Sequence, residues 1–159
     1  MLYPFILGTE SFGHVVVIVL VGVMVTECVV CWRNTHMHTT PALLLAGSLA
    51  LAAWVLIEYF AQLAEGWYHV LVHLPAVLVV SYVFWRLTRI KDKIARFLIF
   101  IFAVAILGHV ALDVYDMFSG MTNMALMELL REPLQLTEIL TFYFFAMREV
   151  IRFDYEMHT

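Results

Sequence analysis

The chain has 159 residues, 64% of them apolar and 14% charged, with a formal net charge of −4. A soluble domain is nearer half apolar and a quarter charged, so the composition is that of a membrane protein. The acidic balance and the lack of a basic face exclude nucleic acid as a partner, and two cysteines, Cys28 and Cys31, cannot build a disulfide framework.

Taken in chain order, the sequence predicts an all-α fold: an integral membrane bundle of five transmembrane helices forming one polytopic domain over residues 1–159. The N-terminal MLYPFILGTE has no basic n-region and leads into a full-length apolar run, so it reads as part of the mature protein. The first span covers about 12–33 and is valine-rich. The second, about 41–64, starts at Pro41, a residue favoured in a first helical turn. The third, about 67–86, contains Pro75, which frees a carbonyl but is tolerated in a membrane helix. The fourth covers about 97–118. The fifth, about 133–152, is the weakest, because only fourteen residues separate Pro133 from Arg148. That is about 21 Å against a hydrocarbon core of about 30 Å. It must recruit flanking turns, with Arg148 and Arg152 snorkelling at one end. The alternative is a helix kinked at Pro133 that begins near Met121.

Basic residues set the orientation. The segment RLTRIKDKIAR between the third and fourth spans carries Arg86, Arg89, Lys91, Lys93 and Arg96, and belongs on the cytoplasmic side. Alternation then puts Arg33, Arg148 and Arg152 inside as well, leaving only Arg131 outside. The N-terminus is outside and the C-terminus inside, most simply in a prokaryotic plasma membrane.

This topology collects costly groups in the outer half of the bilayer. Glu58 lies about 9 Å below the outer surface. His73 falls at the same depth, His69 one turn higher, Asp113 at a similar level, His109 one turn deeper, Asp116 near the rim, and Glu138 in the same layer. Glu65, His69 and His73 share one helical stripe, as do His109, Asp113 and Asp116. Glu128, Glu132, Gln135 and Glu138 do so too if the last helix begins early. Such stripes turn inward, because lipid cannot satisfy them. One arginine cannot neutralise the outer acids, so these are either protonated or balanced by a bound cation.

The expected site is therefore a His/carboxylate transition-metal centre facing the outer side. Glu58, His69, His73, His109 and Asp113 are its core ligands, and Asp116 and Glu138 are bridging or orienting groups. The donor mixture suits zinc or iron, with copper or manganese as further options. The expected function is a metal-dependent redox or hydrolytic enzyme, or enzyme subunit, acting on a lipid-soluble substrate. One alternative is a non-catalytic accessory or sensing subunit of a membrane complex. Another is a b-type cytochrome with haem between His69 or His73 and His109, beside Gly108, although haem propionates prefer basic surroundings. The purely structural alternative is polar helix packing. The partners implied are the bilayer and membrane partner subunits. The Cys28-x-x-Cys31 pair reads as small apolar packing. Trp32, Trp67, Tyr68, Tyr82 and Trp85 sit at span ends as interfacial anchors.

Overall fold

The computed structural model describes the backbone of residues 3–35, 38–61, 67–88, 91–119 and 124–159, and the side chains of 15–35, 38–57, 71–88, 91–115, 118 and 129–159. The described residues form five helices and no strand: α1 (Tyr3–Asn34), α2 (Thr39–Ala61), α3 (Trp67–Leu87), α4 (Lys93–Ser119) and α5 (Met124–His158). Three carry stretches long and apolar enough to cross a membrane, Val15–Asn34, Thr39–Ile57 and Lys93–Tyr115, and α3 adds a shorter apolar stretch, Leu71–Leu87. Large apolar side chains point outward along them, among them Leu71, Leu78, Phe97, Phe100, Val104 and Leu107. Exposed apolar surface of this extent is compatible with a membrane location.

Helix ends follow local chemistry. Asp92 caps α4, its Oδ1 accepting the Ala95 amide at 3.1 Å. The helix at the N-terminus begins at Tyr3, well before the expected start near residue 12. The last helix departs furthest from the expected 133–152. It starts at Met124 and runs through Pro133, as in the kinked alternative. Pro133 removes one backbone donor. Just beyond it, the Thr137 hydroxyl donates to the Pro133 carbonyl at 2.6 Å, and the Thr141 hydroxyl donates to Thr137 O at 2.7 Å. Hydroxyls turned back onto the preceding turn keep polar groups satisfied within the helix.

The core is threaded by one stripe of α5: Gln135, Glu138, Ile139, Phe142, Phe145, Ala146 and Glu149 are all buried. They recur in an i, i+3, i+4, i+7 pattern, the spacing of a single helical face. Its middle is aromatic and apolar, with Phe142 and Phe145 packed on Phe84 and Phe84 on Phe102, at centroid separations of 4.5–5.5 Å. Gly47 makes room for this cluster: a Cβ there would lie 2.5 Å from Phe142 Cζ. On α1, Val17, Val21, Met24, Cys28 and Cys31 form the matching stripe. Both thiols are buried as expected for packing residues, and Cys28 Sγ also lies 3.3 Å from Ser48 Oγ. The closely packed neighbours are α1–α2, α2–α3, α4–α5 and α1–α5, whereas α3 and α4 touch only slightly.

Candidate metal centre

Three helices deliver one buried side chain each to a common point. His73 comes from α3, His109 from α4 and Glu138 from α5, and none is more than 3% exposed. His73 Nε2 is 2.8 Å from Glu138 Oε2, and His109 Nδ1 is 3.0 Å from Glu138 Oε1. With Glu138 ionised, each ring N–H donates to one carboxylate oxygen, so the acid bridges two helices that otherwise barely meet. The two imidazoles are in tilted contact, with centroids 4.4 Å apart. Trp54 of α2 closes the fourth side: its indole lies 4.6 Å from the His73 ring and 6.3 Å from the His109 ring. The Trp54 Nε1 is buried without a hydrogen-bond partner among the described residues.

This group could hold a metal ion. One potential ligand atom from each of the three residues lies within 4.8 Å of the other two. Bonds of about 2.0–2.2 Å in a tetrahedral site put neighbouring ligand atoms roughly 3.3 Å apart, and the nitrogen–oxygen pairs, 2.8 and 3.0 Å apart on different oxygens of Glu138, are near that spacing. Two imidazoles and one carboxylate leave coordination positions for a further ligand, the pattern of non-haem iron(II) sites and of catalytic zinc sites with a His₂Glu set.

The structure sorts the expected ligands into three groups. His73, His109 and Glu138 converge, and Glu138, expected as a bridging or orienting group, stands at the centre. Asp113 is buried one turn above His109 but engages Arg131, whose Nη2 donates to Oδ1 at 3.2 Å. It is not one of the three residues of the converging group. The side chains of Glu58, His69 and Asp116 lie outside the described residues, as do those of Glu65 and Glu128. A haem between His73 and His109 does not fit this arrangement: rings 4.4 Å apart that both bond one carboxylate leave no slot for a macrocycle. Gly108, the expected space for haem, is instead occupied against Leu134, whose Cδ2 would lie 3.1 Å from an added Cβ.

The sequence reading passed over Trp54. Its position away from the span ends, where interfacial tryptophans sit, is the signal that could have found it.

A second polar cluster lies at the other end of the bundle. Arg148 grips Asp92 with both terminal nitrogens, at 2.6 and 3.1 Å. Arg152 contacts Glu149 directly, lies 3.9 Å from Asp92 Oδ2 and 3.7 Å from Glu156 Oε1. Glu149 itself is fully buried. Arg148 and Arg152, expected to snorkel at one end of the last span, are found on carboxylates of the protein. Asp92 is outside the spans, and the Arg148 hydrogen bonds hold its carboxyl below the ordinary aspartate value, against the opposing effect of burial.

No protein-family model, no curated protein sequence and no solved structure matches the chain. What the fold and the site define is a class: an all-helical protein with membrane-like helices and a buried His/Glu group able to take a metal ion.

Proposed function

We propose that this protein is an integral membrane metalloprotein, with five spanning helices, N-terminus outside and C-terminus cytoplasmic, in a prokaryotic plasma membrane. His73, His109 and Glu138 bind one iron(II) or zinc ion in the outer half of the bilayer. The observation that carries this reading is the convergence of a two-histidine, one-carboxylate donor set from three helices at a fully buried point. Ionisable groups at membrane depth are costly enough that their meeting at one point argues for a site. The open coordination positions suit activation of water or dioxygen toward a lipid-soluble substrate, in a hydrolytic or a redox reaction.

Elemental analysis of protein purified without chelator tests it. The expected result is about one equivalent of iron or zinc per chain, lost in Glu138→Gln and His73→Ala variants that still insert. Wild-type protein that holds less than about a tenth of an equivalent after incubation with either metal overturns it.

One observation favours a second, non-catalytic reading, as an accessory or electron-transfer subunit. His109 and Glu138 are 0% exposed, so a bound ion would sit shielded from bulky substrates. Addition of azide to the iron-loaded protein separates the two. A changed absorption spectrum supports the catalytic reading, and an unaltered spectrum supports the accessory one.

A further inference from the structure

Away from the triad, α3 and α4 part, and a groove of about 710 Å³ runs between them. Its floor is Phe84 and Phe102, each at most 3% exposed, whose rings meet at 5.0 Å and hold the helices apart. Its rim is Trp85 and Leu107, 71% and 69% exposed, so the groove opens sideways toward the membrane rather than into the bundle. The lining is apolar except for Ser81, Thr88 and Arg96. The Thr88 hydroxyl is already spent on the Phe84 carbonyl, at 2.5 Å.

The length and charge of the groove specify its occupant. From Arg96 at the loop end to Ile106 at the deep end is ten residues of α4, about 15 Å, or half of a hydrocarbon core of about 30 Å. A groove one leaflet long and lined mostly by apolar side chains matches an acyl chain. At its mouth Arg96 is exposed and has no acidic partner among the described residues, with Lys91 and Lys93 exposed beside it in sequence. The nearest acid in sequence, Asp92, is no competitor, because Arg148 holds both of its oxygens. An unpaired guanidinium offers a forked donor to phosphate, and juxtamembrane cations favour anionic headgroups.

We propose that the α3–α4 groove binds one phospholipid with an acidic headgroup, from the leaflet at the Thr88 and Arg96 end of the groove. Its phosphate sits on Arg96 and one acyl chain lies over Phe84 and Phe102. The chain end reaches the level of Val77 and Ile106, one helical turn from His73 and His109 respectively. This assignment needs the helices to span the membrane but does not depend on a metal in the triad.

Native mass spectrometry of the detergent-solubilised full chain, titrated with phosphatidylglycerol or with phosphatidylcholine, is the test. The expected result is one bound phosphatidylglycerol per monomer, with about a tenfold preference over phosphatidylcholine from the cations at the mouth. Arg96→Gln should lower the phosphatidylglycerol affinity about fivefold and leave phosphatidylcholine unchanged. Ala103→Trp, which fills the groove, should weaken both lipids. Arg96 and Ala103 are exposed, so neither substitution disturbs the core. Equal affinity of the wild type for the two lipids overturns the proposal, as does wild-type binding by both variants. Full displacement by inorganic phosphate would reveal a simple anion site, and a dimer that excludes lipid would reveal a protein-packing face. Either result also overturns it.

Discussion

The two polar clusters at opposite ends of the bundle are built from different chemistry. At one end, Asp92 and Glu149 face Arg148 and Arg152, charges that cancel one another. At the other, Glu138 faces two imidazoles, whose nitrogens can donate hydrogen bonds or, after giving up a proton, bind a metal. A balanced set of arginines and carboxylates fastens helices and does little else. A carboxylate between two histidines fastens them too, but with atoms that can rebind to an ion. The buried carboxylate is common to both ends, and the partner decides what each end can do.

If that contrast is correct, substitutions should separate metal binding from stability. The largest expected effect is at the Glu138 end. Glu138→Gln should cost more than the roughly 10–100-fold in metal affinity that follows loss of a hydrogen-bond partner to a ligand, because it removes a ligand itself. Competition against a chelator measures this. Retention of wild-type affinity would reduce the Glu138 cluster to a fastening like that at Asp92.

Next in size is Asp92→Ala, which removes the α4 cap and the forked Arg148 contact. It should lower stability by about 1–3 kcal/mol, read from thermal melts in detergent, with metal content unchanged. Metal loss in this variant would show that the two ends are not independent.

Between the two ends, Gly47→Ala drives a methyl group to within 2.5 Å of Phe142 Cζ and should destabilise by about 1–3 kcal/mol. Gly108→Ala meets only the movable end of Leu134 at 3.1 Å and should cost clearly less. Equal melting temperatures for the two variants would contradict the packing described around the aromatic cluster.

The smallest effect is on pH dependence. The Asp92 carboxyl is lowered by Arg148, so its stabilisation is fully present above the unfolded aspartate value of about 3.9 and is lost as pH falls through the lower, folded value. Melts from pH 6 to pH 3 (chosen to bracket that range, about two pH units above the unfolded value and one below) should fall less steeply in Asp92→Asn than in wild type. Parallel curves would remove Asp92 from the arginine–carboxylate fastening.

Much of the fold could be read from the chain because long apolar runs and cationic loops are local signals. The predicted third and fourth segments lie close to α3 and α4 for that reason. The fifth helix starts at Met124, close to the early start near Met121 that the sequence offered as its alternative, because Pro133 by itself does not say whether a helix begins there or runs through it. Depth in the membrane follows from counting residues, and it put His73 and Glu138 in one layer with His109 one turn deeper. Depth does not say which way a side chain faces or which helices are neighbours. That is why Asp113, which depth ranked beside His73, is found on Arg131 instead. It is also why Glu138 was ranked low: its importance comes from α3 and α4, 65 and 29 positions away. The Asp92–Arg148 pair, 56 positions apart, was invisible for the same reason.

The buried stripe of α5 carries a carboxylate at either end, Glu138 and Glu149, both fully enclosed. Eleven residues is almost a whole number of turns, so the two acids point the same way about 16 Å apart. They act as two teeth of one key. Turning α5 by a single residue, about 100°, would withdraw both teeth together and push two charges toward hydrocarbon. Sliding it by one turn would set each against the wrong partner. The aromatic middle of the stripe supplies adhesion but would tolerate small errors of phase. The toothed ends do not, and they give the least apolar helix of the bundle a single seating.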